Sequence, residues 1–219
     1  MIKGLIFDLD GTMVMNMPFH MRAFNVQAER HGYTLLSPLI SRFYGWHNFQ
    51  IMPEIIPAAD IERIGLQYLS DEKEAIYREL YSGNVTLTKG LDKILDEAAR
   101  CGVKTFIGSA APRENVEFIV AEAALDGRMV GYVCADDVTH CKPDPEIFLK
   151  SCEKLGLAPS ECVVFEDATS GIKAAVAAGC YPIGIATTTT REALLEAGAR
   201  MIIDDFDEIS VEQLVAQIG

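Results

Sequence analysis

Positive charge is what this chain has least of: over 219 residues, 19 lysines and arginines face 32 aspartates and glutamates, for a net charge of −13 at pH 7. Nucleic-acid backbones are held through Lys and Arg, so an acidic average surface argues against nucleic acid as a partner. Any anionic ligand must then meet positive charge that is local. Long apolar runs are also missing. None reaches the roughly 18 residues of a membrane span, and the N-terminus has no basic-then-apolar leader pattern, so neither a membrane nor secretion is expected. The six cysteines, at 101, 134, 141, 152, 162 and 180, contain no Cys-x-x-Cys pair. An even count in a chain of this size does not by itself indicate disulfides, and a cytoplasmic location fits best. Internal repeats and low-complexity tracts are absent too. What is abundant is core material: 49% of residues are hydrophobic and the mean hydropathy is +0.15, ample for one large or two small packed domains.

The chain is organised around Leu5-Ile6-Phe7-Asp8-Leu9-Asp10-Gly11-Thr12. An apolar run from Ile2 to Phe7, interrupted by Lys3 and Gly4, reads as a short buried strand that stops at two aspartates. Like charges a few ångströms apart repel, so such a pair persists only if a cation is shared or one acid keeps its proton. Gly11 lets the backbone turn sharply, which would leave both aspartates facing one cavity. Asp-Gly is also an ordinary turn signal, and the pair alone would prove little.

From about Met15 to Ser82 the sequence reads as helices joined by turns: His20 to His31 behind Pro18, a piece near Pro38 to Tyr44, Asn48 to Ile56, and Ile61 to Tyr81. After Val85 helix and strand alternate. Leu91, Ile94, Leu95, Ala98 and Ala99 mark one face of a helix ending at Gly102, followed by a β-rich run from Val103 to Ile107. Next come a helix from Pro112 to Ala124, a strand from Met129 to Ala135, and a helix opened by Asp144-Pro145 and closed by Gly156. Cys162 to Phe165 (strand), Thr169 to Ala178 (helix), Tyr181 to Ala186 and Met201 to Ile203 (strands) lead to a closing helix near Val211 to Ile218. This alternation predicts an α/β fold: a Rossmann-like three-layer core with a central parallel sheet, carried by residues 1–14 and 84–219. Residues 15–83 form an inserted all-helical cap. In such sheets ligands bind beyond the carboxyl ends of the strands, beneath the cap.

Three further strand ends supply what the first lacks. Gly108-Ser109-Ala110-Ala111 enters a helix, where backbone N–H groups and the Ser109 hydroxyl would make an anion pocket, or Ser109 would merely cap the helix. Lys142, before a proline-stiffened turn, would be held so as to neutralise a phosphate and a nearby carboxylate, unless it is one of many exposed loop lysines. Glu166-Asp167 ends another buried run, where acids also occur as simple partners of a helix dipole. With Asp8 and Asp10 they would set four carboxylates around one cavity, an arrangement that Mg²⁺ explains economically.

In this order, Asp8-x-Asp10-Gly11-Thr12, Ser109, Lys142-Pro143-Asp144-Pro145 and Glu166-Asp167 resemble the four motifs of the haloacid dehalogenase-like hydrolase superfamily, and the helical insertion resembles the cap of its β-phosphoglucomutase-like branch. The resemblance implies that Asp8 is the nucleophile forming an aspartyl-phosphate, and that Asp10 is the general acid and then base, protonated when substrate binds. It implies Mg²⁺ bound by Asp8, the Asp10 carbonyl and Asp167, with Glu166 a ligand or support. Ser109, the Ala110 N–H, Lys142 and Thr12 would hold the phosphoryl oxygens. The dehalogenases that name the superfamily lack an acid at position 10, so phosphoryl transfer is expected instead.

Two departures bear on substrate. Met15-Asn16 stands where many relatives carry an acid. No lysine or arginine occurs from Phe43 to Asp60, where the mutases place an arginine after a glycine to grip a second phosphate; here Gly45 is followed by Trp46-His47-Asn48, and Arg113 is the nearest candidate substitute. Trp46, His47 and Asn48, with His20 of the first cap helix, are the expected substrate-selecting set. The expectation is a monomeric Mg²⁺-dependent phosphatase of a small phosphorylated metabolite such as a sugar phosphate, with pyrophosphate a lesser option. A hexose-phosphate mutase is the alternative, and a non-catalytic binding protein is disfavoured by the intact acids and lysine.

Overall fold

The computed structural model describes residues 1–36 and 46–218; the helical piece expected near Pro38 to Tyr44 lies outside the described residues. Strand β1 (Gly4–Phe7) leads into four helices, α1 (Met17–His31), α2 (Asn48–Ile55), α3 (Ala58–Ile64) and α4 (Leu66–Tyr81). The chain then alternates through α5 (Leu91–Cys101), β2 (Lys104–Gly108), α6 (Arg113–Glu122), β3 (Tyr132–Val133), α7 (Glu146–Leu155), β4 (Cys162–Glu166), α8 (Thr169–Ala178), β5 (Tyr181–Ile185), α9 (Arg191–Glu196), β6 (Met201–Ile203) and α10 (Val211–Ile218). The six strands form one parallel sheet in the order β3-β2-β1-β4-β5-β6. The strand order reverses at β1, which is the position where such sheets open a crevice for ligands.

The inner strands read as unbroken apolar runs because helices cover both sheet faces. Leu5, Phe7, Val163 and Phe165 point into one cluster, where Phe7 and Phe165 stack at 4.9 Å and Phe206 packs against both. Ile6, Cys162 and Val164 point to the opposite face, against Phe148 and Leu155. Burial of each such large apolar side chain stabilises the fold by about 1.5–3 kcal/mol. The cap helices have their own cluster of Phe24, Met52, Ile55 and Leu69. Tyr77 and Tyr81, further along α4, belong to the sheet-side cluster, so one helix is anchored at both ends of the cleft.

Four local readings are corrected. The helix expected from Ile61 to Tyr81 is two helices, because Gly65 adopts φ +99°, ψ 127°, which stops the helical hydrogen-bond ladder. The strand expected from Met129 to Ala135 shrinks to two residues at the sheet edge: past Cys134 the chain takes a tight turn, held by the Cys134 N–H donating to Asp137 Oδ2 at 3.0 Å. Helix α9 was not foreseen; its signal is Thr190, whose hydroxyl accepts from the Ala193 N–H at 3.3 Å as an N-cap. On α5, Ala99 is exposed, whereas Glu97 is buried and accepts from the Val211 N–H at 2.9 Å. No helix among the described residues is long and apolar enough to cross a membrane.

Candidate active site

The parallel register sets the strand tips level. Phe7 pairs with Ile107 on one side and Phe165 on the other, so Asp8, Gly108 and Glu166 leave the sheet side by side. Neighbouring strands run roughly 4.8 Å apart, which brings carboxylates 158 residues apart in sequence into one small space. The Asp8 N–H donates to the Phe165 carbonyl at 3.0 Å, carrying the ladder to its last rung. Gly11 takes φ +78°, and a Cβ at that turn would collide with the Asp167 carboxylate.

Lys142 is buried in the middle of this group. Its ammonium donates to Asp8 Oδ1 at 2.6 Å, to the Glu166 carboxylate and to the Gly108 carbonyl at 3.3 Å, which uses its three protons. Burial would push the Lys142 pKa down, but Asp8 and Glu166 outweigh it and the ammonium is held well above its ordinary value. The acids outnumber it. Carboxylate oxygens of Asp8, Glu166 and Asp167 lie within 4.8 Å of one another. Burial, countered by Lys142 but reinforced by the neighbouring acids, raises the Asp8 pKa well above the usual carboxylate range. Asp167 is pushed up to about 7, first by burial and then by Glu166. Three buried acids sharing one lysine form a donor set of hard oxygens with uncompensated negative charge, and this fits a divalent cation such as Mg²⁺.

Asp10 faces the cap instead. The Asn16 amide donates to its Oδ1 at 2.5 Å, and His20 Nε2 stands 3.6 Å from its Oδ2. Burial pushes the Asp10 pKa up, yet His20 and Asn16 outweigh burial and hold it below the ordinary value, so this carboxyl is ionised before substrate arrives. His20 stacks on Tyr77 at 3.8 Å, and its Nδ1 lies 2.8 Å from the Lys73 ammonium. An ammonium can only donate, so Nδ1 accepts and the His20 proton sits on Nε2, towards Asp10.

Ser109 and Ala110 follow β2 and line the same cavity, as do Asp8, Asp10, Lys142, Glu166 and Asp167; the cavity measures about 250 Å³. The Ser109 hydroxyl accepts from the Ala111 N–H at 3.1 Å, which leaves its own proton free to donate. Thr12 is placed differently from expectation. It is fully buried outside the cavity lining, its N–H turned to the Leu9 carbonyl and its hydroxyl donating to Asp167 Oδ1 at 3.2 Å. With Thr188, which donates to the other Asp167 oxygen, it orients that carboxylate rather than a phosphate.

His20, Trp46, His47 and Asn48 all line the cavity from the cap side. Asn48 is held by its own amide bonds to Glu74 Oε1 (2.6 Å) and Ser70 Oγ (3.2 Å), and His47 caps α2 by accepting from the Phe49 N–H at 3.4 Å. Arg113 does not reach the cavity: its guanidinium donates to Asp137 at 2.8 Å and to the Tyr132 hydroxyl at 3.2 Å. Among the residues that sequence reasoning missed, Glu114 and Asn115 of α6 and Asp136 after β3 line the cavity, and the largest group lies on α4. Gln67, Ser70, Asp71, Glu74 and Arg78 all line the cavity, a polar stripe at helical spacing that was visible in the sequence as i, i+3, i+4, i+7 and i+11.

The site is an acid-rich, lysine-centred cavity at the tips of a parallel sheet, lined on its other side by α1, α2 and α4, which lie between β1 and β2 in the chain. The haloacid dehalogenase-like hydrolase family model matches residues 2–179, and the chain belongs to that family. It is 28% identical over 215 residues to the phosphorylated carbohydrates phosphatase of Thermotoga maritima, with 96% of this chain and 98% of that one covered. It is 31% identical over 184 residues to the fructose-1-phosphate phosphatase YqaB of Escherichia coli, covering 83% and 95%. Among solved structures it resembles a haloacid dehalogenase-type hydrolase of family IA, variant 3, from Entamoeba histolytica, at a TM-score of 0.85 and 29% identity over 99% of both chains. The chain is thus a hydrolase whose relatives include phosphatases of phosphorylated carbohydrates.

Proposed function

We propose that this protein is a Mg²⁺-dependent phosphatase that hydrolyses a phosphorylated carbohydrate through an aspartyl-phosphate on Asp8. The observation that carries the reading is the placement of Asp8: at the tip of the central strand, bonded to a buried lysine, beside two further acids, and open to a cavity shared with the cap. The relatives named as phosphatases of phosphorylated carbohydrates, of fructose 1-phosphate and of hexitols support the substrate class.

In this reading Asp8, Asp167 and the Asp10 carbonyl would hold Mg²⁺, with Glu166 as ligand or support. The bound ion supplies charge that offsets the phosphoryl oxygens and keeps Asp8 ionised. Lys142, the Ser109 hydroxyl and the Ala110 N–H orient the phosphoryl group. An Asp8 oxygen attacks phosphorus; the ester P–O bond breaks, and Asp10 gives its proton to the departing oxygen. Asp10, now a carboxylate, takes a proton from water, whose oxygen attacks phosphorus and frees Asp8 and inorganic phosphate. Because Asp10 starts ionised beside His20, it must gain its proton as the phosphate dianion enters, when added negative charge raises its affinity for one.

Phosphate release over a panel of sugar phosphates tests this directly. Asp8→Asn is expected to lower kcat by about a thousandfold or more. Chelation should abolish activity and Mg²⁺ restore it. Equal activity of wild type and Asp8→Asn on every substrate would refute the nucleophile. Conversion of a hexose phosphate to its positional isomer without phosphate release would identify a mutase instead.

A further inference from the structure

Among the described residues, the cavity beyond the strand tips is lined by more acids than cations and carries an ionised carboxylate that the reaction does not use. Glu74, on α4, is buried, yet it lines the cavity. Its Oε1 accepts from Lys73 at 2.8 Å and from Asn48 at 2.6 Å, and its Oε2 accepts from Asn115 at 2.7 Å. Burial would push its pKa up; the Lys73 ammonium and the amide of Asn115 hold it down to about 2, so it is anionic at any working pH. A carboxylate offers about four acceptor sites, and these donors fill three. One acceptor position on Oε2 remains for a ligand.

The surrounding charges sort possible leaving groups. Asp71 of α4, Glu114 of α6 and Asp136 after β3 line the same cavity, and against them and Glu74 the described residues beyond the strand tips set two cations. Lys73 is taken up by Glu74 and His20, and Arg78 donates to the Asn115 oxygen at 2.7 Å. Summed over the described residues, the region that an anionic leaving group would enter has net charge of the same sign, a repulsion strengthened by low local dielectric. A hydroxyl is a donor that the open position on Glu74 can accept, and a site built to bond a substrate hydroxyl rejects analogues lacking it far more strongly than a hydrophobic pocket rejects an extra methylene.

From this we infer that Glu74 is a specificity-determining residue: it accepts a hydrogen bond from a hydroxyl of the leaving group, and it restricts the enzyme to monophosphates of uncharged polyols, excluding leaving groups that carry a carboxylate or a second phosphate. The inference rests on the phosphatase reading and adds the identity and charge of the group released. It also supplies a physical reason for hydrolysis over mutase chemistry, since a mutase must lodge a second phosphate in the cavity that these acids line.

The test compares kcat/KM for three substrates: a hexitol phosphate, 3-phosphoglycerate, and p-nitrophenyl phosphate, whose leaving group has no hydroxyl to donate before the ester is broken. Wild type should favour the hexitol phosphate over 3-phosphoglycerate by about a hundredfold or more. In Glu74→Gln, kcat/KM for the hexitol phosphate relative to p-nitrophenyl phosphate should fall about tenfold, and the preference over 3-phosphoglycerate should narrow by a similar factor. An unchanged pair of ratios would overturn the inference. If Glu74→Gln does not fold, Asp71→Lys, on the exposed part of the same stripe, carries the test: it should raise kcat/KM for fructose 1,6-bisphosphate at least fivefold over wild type, and no rise would overturn the charge argument. Phosphate release that is absent from wild type on all substrates, or equal in Asp8→Asn, is a different result; it removes the phosphatase reading and the inference with it.

Discussion

Lys142 is the residue on which the largest electrostatic cost turns. It sits almost out of contact with water between Asp8 and Glu166, and burying ions is favourable only while their partners remain. Lys142→Met would leave two carboxylates buried without their cation, a loss of about 3–5 kcal/mol by the usual cost of breaking a buried pair. Urea denaturation of the metal-free protein should show that loss, and phosphate release should disappear with it. A stability change under about 1 kcal/mol would mean that the pair is not desolvated in solution. Most of this was legible in the sequence: an acid pair, a lysine before a stiff turn and another acid pair each ended an apolar run or opened a helix. Thr12 was not. Its hydroxyl could have met either a phosphate or a carboxylate, and only the approach of Asp167, 155 positions further on, decides for the carboxylate.

At the scale of elements, α4 does more than its sequence pattern announces. It starts after a backbone break, packs on α1 in the cap, lines the cavity with one polar stripe, and ends in two tyrosines buried against the sheet side. The break depends on Gly65, whose φ of +99° lies where side chains with a Cβ are strained. Gly65→Ala should therefore cost about 1–3 kcal/mol, read as a lower urea midpoint, even though a Cβ there meets open space. A midpoint unchanged or raised would mean that α3 and α4 can merge into one continuous helix. The apolar periodicity from Ile61 to Tyr81 suits one helix or two equally well, which is why the sequence alone suggested a single element. The polar stripe was equally hard to read, since polar residues at helical spacing mark a solvated face more often than a binding wall.

Taken whole, the molecule concentrates unneutralised acid at the switch point of its sheet, and this gives folding stability a pH dependence of definite sign. Asp167 titrates near 3.9 when unfolded and at about 7 when folded without metal, so between those values the folded state binds more protons. Its stabilising contribution is complete below about pH 4 and is lost as pH rises towards 7; Asp8, raised in the same direction, acts with it. Glu74, held at about 2, contributes fully above about pH 5 and does not offset the trend. The metal-free protein should accordingly melt at a lower Tm at pH 8 than at pH 5. Millimolar Mg²⁺ should raise Tm more at pH 8, where the carboxylates it needs are ionised; at a hundredfold excess over its dissociation constant it stabilises the fold by about 2.7 kcal/mol. Differential scanning calorimetry at both pH values checks this, and a metal effect that is larger at pH 5 would contradict the acid cluster as the binding site.

The sequence by itself determined the strands, most of the helices and the order in which acids, serine and lysine come to the strand ends. Those features are local: a buried parallel strand must be apolar on both faces, and a chain leaving the sheet must turn with small or polar residues. What only the tertiary structure decided is how the cap meets that row of tips. His20 is tied to Lys73 and Asp10, Asn48 and Asn115 converge on Glu74, and Thr12 is given to Asp167. Except for the neighbouring His20 and Asp10, these partners lie 26 to 155 positions apart in the chain, so no local periodicity encodes them. They meet because the parallel register and the double anchoring of α4 bring distant polar groups into one enclosed space, where each must find a partner or pay for desolvation.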